Sequence, residues 1–292
     1  MTLTYLSVSF SAGIWLYLIY KYDRFEPEPI KYVLLIGAIG GILSTIPAAL
    51  LNNVSAFMLG ITDFIYNVSG AEASARSIFY FSIFVGFNEE FWKAFIAVMI
   101  LKRLKQFNEP IDALIYSMSI ALGFAAFENI SYTVAGGFGA LFVRSFTAVP
   151  LHAGLASIWG SGIARAKYDN NGRYFRTLIP YIASASVIHT FYNFIQFINS
   201  ENPVSLIVAL IFAFFIVSYA AGRLRHFQNE SPFKKSGLCP QCGTLNSYFA
   251  RYCKNCGSYI MTDYYSLCVS CGARNRKGRS SCRHCGNKIK EI

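Results

Sequence analysis

The first 238 residues of this 292-residue chain contain no cysteine, which excludes disulfides and thiolate metal sites from most of its length. Charge is also scarce. Asp, Glu, Lys and Arg make up 14% of the residues and hydrophobic types 54%, which excludes an ordinary soluble domain. Histidine occurs four times and never as H-E-x-x-H, so the usual helical zinc site of hydrolases is absent. No repeat relates one half of the apolar region to the other, as the internal symmetry of many transporters would require. The first apolar run lacks a basic n-region and a clear cleavage site, so it reads as a retained span rather than a removed signal peptide.

What is present is a series of apolar runs near or above the ~20 residues that cross hydrocarbon. Seven spans are predicted, at 3–20, 32–52, 79–101, 111–134, 141–164, 177–198 and 204–222. The apolar piece 54–66 is too short for a crossing and reads as re-entrant or interfacial. Basic residues follow alternate spans: Lys21, Arg24 and Lys31; Lys102, Arg103 and Lys105; Arg165, Lys167, Arg173 and Arg176. Arg223, Arg225, Lys234 and Lys235 follow the last span. The positive-inside rule then predicts an N-terminus outside and a cytoplasmic C-terminus.

All eight cysteines lie in the tail, as two copies of C-x2-C-x10-C-x2-C: Cys239, Cys242, Cys253 and Cys256, then Cys268, Cys271, Cys282 and Cys285. A two-residue gap lets both thiolates of a knuckle reach one ion, and each knuckle ends in a glycine that permits the turn. Four thiolates close a tetrahedron, so each set predicts one structural Zn2+ rather than a catalytic one. A cytoplasmic tail favours metal over disulfides. Residues 236–292 carry nine Lys or Arg against two acids, including the run Arg274 to Arg279. That run suits anionic lipid or a solvated loop as well as phosphate, so nucleic acid is not the expected partner. A substrate or cytoplasmic regulator is. The predicted organisation is an all-α polytopic membrane domain over 1–223, a linker over 224–236, and a small double zinc ribbon over 237–260 and 266–292.

Five ionisable residues lie inside the apolar runs: Glu89, Glu90, Glu128, His152 and His189, with Lys93 one turn beyond the glutamates. Buried charge in a membrane is costly and marks function more often than packing. Glu89 and Lys93 share a helical face, as do His189 and Asn193. Counting along the predicted spans puts Glu89, Glu90, His152 and His189 near mid-membrane, and Glu128 and Asn193 somewhat toward the outer side. A buried glutamate near a histidine can take a proton from water, and a second histidine with an asparagine amide can steady an oxyanion. Read singly, each residue is equally an interhelical contact. Gly37, Gly40, Gly41, Gly160 and Gly162 read as close-packing positions. Gly136, Gly137 and Gly139 predict a flexible outer loop, and Asp23, Glu26 and Glu28 lie in an EPEP turn to which no task is assigned.

At these residues the chain resembles the PrsW family of intramembrane proteases. Glu89, Glu90 and Lys93 resemble its E-E-x-x-K motif. Asp112 to Tyr116 with Gly123, Phe124, Glu128, Asn129 and Tyr132 resemble its second block, and Arg144, His152 and Ala153 its third. His189, Asn193 and Phe194 resemble its H-x-x-x-D/N-F ending. Ala113 and Ser117 replace usual glycines, and Asn193 stands where many members have Asp. Asn cannot act as a base but donates well, which points Asn193 to an oxyanion role. The resemblance implies endoproteolysis of membrane-associated substrates in a prokaryotic plasma membrane. It implies catalytic roles for Glu89, Glu90, Glu128, His152, His189 and Asn193, with Lys93, Asn129 and Arg144 in support. Two mechanisms stay open: glutamate-activated water, which is favoured, or a catalytic zinc held by the same Glu/His cluster. A proton-coupled transporter and a non-catalytic scaffold are the rival functions.

Overall fold

The computed structural model describes residues 2–65, 71–198 and 202–231, together with 233, 239, 241–244, 246, 252–259, 265–268, 270–271, 274–276, 281–282 and 284–289. Within them the chain forms eight helices: α1 (Thr2–Tyr20), α2 (Ile30–Met58), α3 (Thr62–Ile65), α4 (Ala75–Leu101), α5 (Pro110–Phe146), α6 (Ala148–Tyr168), α7 (Tyr174–Ile198) and α8 (Pro203–Asn229). Seven of these are 19 residues or longer and follow the seven expected spans in order. By length and composition four stretches qualify to cross a membrane: α2, the joined α5–α6 stretch, α7 and α8. Helix α8 runs to Asn229, past residue 224, where the linker is expected to start. Pro232, Lys234 and Lys235 lie outside the described residues.

Local sequence explains where the helices begin. Ser74 caps α4, its side chain accepting from the Ser77 N–H at 3.0 Å. Asn202 caps α8 ahead of Pro203 at the first helical position. Glu109 and Asp112 form a reciprocal capping box around Pro110 at the start of α5.

Helix α5 is the hub, packing against α1, α2, α4, α6 and α8. Its residues from Pro110 to Leu122 are all buried, as are all of those from Ala148 to Ala164 on α6. Helices that are apolar all round belong inside a bundle, and α1, α2, α7 and α8 surround this core with exposed Leu, Ile and Phe side chains. Glycine makes the closest crossing. A Cβ on Gly123 would lie 2.0 Å from the Gly37 carbonyl oxygen, and one on Gly41 would lie 2.5 Å from the Gly123 carbonyl carbon. The packing role read for Gly37 and Gly41 therefore holds at the α2–α5 contact.

Two expected boundaries move. The outer loop predicted around Gly136 is helical on both sides of a single kink at Gly137, whose φ of 68° and ψ of −169° only glycine adopts freely. The predicted span 141–164 is therefore divided: Phe138–Phe146 finishes α5, and a new helix starts at Ala148. In addition, 54–58 is the last turn of α2. The rest of the 54–66 piece up to Ile65 is a turn and the short α3, whose Phe64 and Ile65 pack on Ala56, Phe81 and Val85.

The basic inter-helix segments gather at one end of the bundle. There Lys167 donates to the Phe107 carbonyl, Arg165 meets Glu230 at 3.3 Å, and the Lys102 ammonium lies 4.5 Å from the Tyr174 ring centre. The EPEP turn acquires a task at this end. Asp23, Glu26, Glu28, Glu109 and Asp112 are all buried, and Tyr116 on α5 donates to Glu28 at 2.6 Å. The Glu28 N–H donates to Asp23 at 2.6 Å, and the Asn108 and Glu109 N–H groups donate to Asp112 at 2.8 Å. The root of the tail is held here too, by Ser231 donating to Glu109, by the Gln228 side chain accepting from the Arg24 N–H at 2.9 Å, and by Phe233 packing on Phe25.

Gly123→Ala should lower stability by about 3 kcal/mol, the upper end of the usual overpacking cost. Gly222→Ala on α8, where a new Cβ meets nothing within 4 Å, should instead gain about 0.5–1 kcal/mol; thermal unfolding in detergent reads both. Burial, with the other acids nearby, pushes Glu28 and Glu109 well above their ordinary value of 4.5. Folded protein then holds protons that the unfolded chain releases, so stability falls as pH rises above about 4.5 toward the raised values. The unfolding temperature should be higher at pH 5.5 than at pH 8, and Glu109→Gln should flatten that slope.

Candidate active site

The ionisable residues of the apolar runs come together in the structure. Glu89, Glu90 and Lys93 on α4, Glu128 on α5, His152 on α6 and His189 on α7 form one cluster, and all but Glu128 are 3% exposed or less. A cavity of about 120 Å³ adjoins it, lined by Asn52, Glu89, Glu128, His152, His189 and Asn193 among others.

Glu90 is fully committed. One of its oxygens accepts from Lys93 Nζ at 2.5 Å and from His189 Nδ1 at 2.9 Å. The other accepts from the indole N–H of Trp159 at 2.9 Å. Lys93 therefore pairs chiefly with Glu90, three residues away. Glu89, which shares a helical face with Lys93, makes only a longer contact of 3.8 Å, because the ammonium turns toward the carboxylate that also faces α6 and α7.

Lys93 also dictates the tautomer of His152. Its ammonium can only donate, so His152 Nδ1, 3.0 Å away, must accept. The proton of neutral His152 then sits on Nε2, which donates to Glu128 at 3.1 Å. His189 is the reverse case. Its Nδ1 donates to the Glu90 carboxylate, so in the neutral ring the lone pair lies on Nε2, 3.9 Å from Glu89 Oε2. Glu89 Oε1 accepts from the Asn52 amide at 3.0 Å, while Oε2 makes no hydrogen bond among the described residues.

The supporting residues fall into place around this set. Arg144, beyond the Gly137 kink, donates to Glu128 at 2.5 Å and Asn129 at 2.6 Å, and its guanidinium lies 3.6 Å from the Tyr132 ring centre. Phe124 lies under Lys93 and against His152. His152 is not at the centre of a span as expected. It lies in the second turn of α6, because that helix starts at Ala148. Sequence reading missed Asn52, Asn88 and Trp159. The pair Asn52–Asn53 inside an apolar helix was a usable signal. Trp159 gave none, since a buried tryptophan is ordinary.

The donor types also suit a metal. Ligand atoms of Glu89, His152 and His189 all lie within 4.8 Å of one another. Two histidines and a carboxylate are a known zinc set. In the present hydrogen bonding, however, both His152 nitrogens are taken, so a metal there requires His152 to leave Glu128 or Lys93.

In the tail, Cys239 lies 3.6 Å from Cys256, Cys242 3.6 Å from Cys253, Cys268 3.5 Å from Cys285 and Cys271 3.6 Å from Cys282. These spacings approach the ~3.8 Å edge of a tetrahedron with ~2.3 Å zinc–sulfur bonds. Gly243, Gly257 and Gly286, each just after a knuckle, have φ of 67°, 70° and 76°, as the expected turn needs. Backbone N–H groups of Asn255 and His284 point to Cys253 and Cys282 at 3.4 Å. Strand β1 (Tyr265–Leu267) pairs antiparallel with β2 (Arg274–Arg276) in the second unit. The rest of the basic run, 277–279, lies outside the described residues.

Comparison with known proteins agrees with both parts. The tail matches the double zinc ribbon over residues 239–286. The chain is 30% identical over 149 residues to "Protease PrsW" of Geobacillus kaustophilus, covering 51% of this chain and 60% of that protein. It is 28% identical over 219 residues to "Protease PrsW" of Clostridioides difficile, covering 72% and 84%. It is 27% identical over 176 residues to the Bacillus subtilis protein of that name, covering 60% and 74%. The chain thus spans about three-fifths of the length of the Geobacillus kaustophilus and Oceanobacillus iheyensis relatives, 60% and 61%. No solved structure matches it. The model of the PrsW family intramembrane metalloprotease covers residues 28–220, a stretch that holds every residue of the cluster, and the chain belongs to the PrsW family.

Proposed function

We propose that the protein is an intramembrane endopeptidase acting on membrane-associated proteins, with Glu89 as the general base. The observation that carries this is the asymmetry of the two glutamates. Glu90 has both oxygens filled, whereas Glu89 Oε2 is buried without a hydrogen-bond partner among the described residues, 3.9 Å from His189 Nε2. On this reading a water enters between the two atoms, within the ~2.6–3.2 Å reach of both, as substrate binding opens Oε2 to the adjoining cavity. Glu89 takes one proton as the water oxygen bonds to the scissile carbonyl carbon, and His189 orients the other. Asn193 donates to the developing oxyanion. Glu89 then passes its proton to the leaving nitrogen as the carbon–nitrogen bond breaks. Glu90, Lys93 and Trp159 hold His189 and His152 in their tautomers, and Arg144 with Asn129 holds Glu128.

The family name favours a second reading, in which Glu89, His152 and His189 hold a zinc that acidifies water. We favour the glutamate reading because Lys93 and Glu128 already occupy His152. In either case the gathered basic segments favour a cytoplasmic end carrying the tail, with the N-terminus outside, in a prokaryotic plasma membrane. The seven long helices fit seven crossings. The ribbons are read as the docking module for a substrate or regulator.

Cleavage of a transmembrane reporter library by the purified protein tests the activity. Glu89→Gln should lower kcat by about 10²–10⁴ while the protein stays folded. A Glu89→Gln variant as active as wild type would sink the assignment. Metal analysis separates the two mechanisms. Two zinc ions per chain, both lost with the ribbon cysteines, are expected. A third ion that disappears in His189→Ala would establish the metal reading instead.

A further inference from the structure

Helix α2 supplies a residue that neither the motifs nor the family pattern singled out. Asn52 lies in the last two turns of α2 and reaches across to α4. Its neighbour there is Asn88, which is buried. The hydrogen bonds around this pair admit one orientation only. Asn88 Nδ2 donates to the Ala48 carbonyl at 2.9 Å, and a carbonyl can only accept, so that atom is the nitrogen. The same nitrogen donates to Asn52 at 2.8 Å, so the atom of Asn52 facing it is the oxygen. The other end of the Asn52 amide is then necessarily N–H, and it donates to Glu89 Oε1 at 3.0 Å. The amide flip, usually a matter of choice, is here decided by a backbone carbonyl two hydrogen bonds away.

We propose that Asn52 is the positioning residue of Glu89, with Asn88 as its anchor. The relay fastens one carboxylate oxygen to α2 and thereby turns the other toward His189 Nε2. Without it, Glu89 keeps only long contacts, 3.8 Å to Lys93 and 3.9 Å to His189, and its carboxylate is free to rotate. The catalytic part of this inference rests on the peptidase reading. The geometric part does not.

Two measurements test it. In reporter cleavage, Asn52→Ala should lower kcat about 10- to 100-fold with KM within about twofold, as removal of a residue that orients a reacting group does. Asn88→Ala should do the same to a smaller degree. The double variant should be no worse than Asn52→Ala alone, because the anchor works only through Asn52. Asn52→Asp should not rescue, since it sets a second carboxylate against Glu89. Asn52→Leu, which keeps the branching at Cγ but cannot donate, serves if the alanine variant folds poorly. Full additivity of the two alanine variants, or wild-type kcat in both Asn52→Ala and Asn52→Leu, overturns the relay. The second measurement needs no turnover. The infrared carboxyl band that vanishes in Glu89→Gln should shift in Asn52→Ala and Asn52→Leu. An unmoved band overturns the positioning even if the enzyme is active. A shifted band in a protein that cleaves nothing upholds it while the peptidase reading fails.

Discussion

The contact between Lys93 and Glu90 is the constraint on which the site depends. Both side chains are fully buried, and their separation is 2.5 Å. A lone charge at that depth would cost several kcal/mol, so neither partner is tolerable without the other. The pair then imposes order outward. Because an ammonium cannot accept, His152 is forced into one tautomer. Because a carboxylate cannot donate, His189 is forced into the opposite one. Trp159 closes the remaining face of Glu90. Two histidines that look alike in the sequence are thus given different surfaces, one committed to Glu128 and one left with a lone pair at the cavity.

Much of this was legible in the sequence, for a physical reason. Ionisable residues in an apolar run have few tolerable arrangements, so Glu89, Glu90, Lys93, Glu128, His152 and His189 stand out in the sequence as a set, although only the packing of the helices shows that they face one another. The knuckles of the tail were legible because a two-residue gap between cysteines has few other uses. The order of the long helices was equally plain. Less legible was anything decided by choice among neighbours. Helical spacing alone paired Lys93 with Glu89, and only the positions of α6 and α7 show why the nearer partner is Glu90.

Other features were hidden because their signals are not periodic. The kink at Gly137 reads in the sequence as a loop, since three glycines cluster there, yet the helix continues on both sides of it. That one torsion carries Arg144 back to Glu128 and moves the start of the next helix to Ala148, so His152, expected near the centre of a span, lies in the second turn of its helix. The EPEP turn was opaque for another reason. Its carboxylates are partnered by residues far along the chain, Tyr116 and the start of α5, and no local pattern announces such contacts.

The position of Glu89 has a consequence for reach. His152 is four residues past Ala148, but Glu89 is fourteen residues past Ala75 and twelve before Leu101, near the middle of α4. At ~1.5 Å per residue it sits about 18–21 Å from either end of its helix. On the proposed reading, a segment that reaches Glu89 has to offer unwound backbone there, and each N–H or C=O that loses its partner in hydrocarbon costs several kcal/mol. The depth of one carboxylate thus becomes a filter on what can be cut: chains already weak as helices at that level pass, and uniformly strong helices do not.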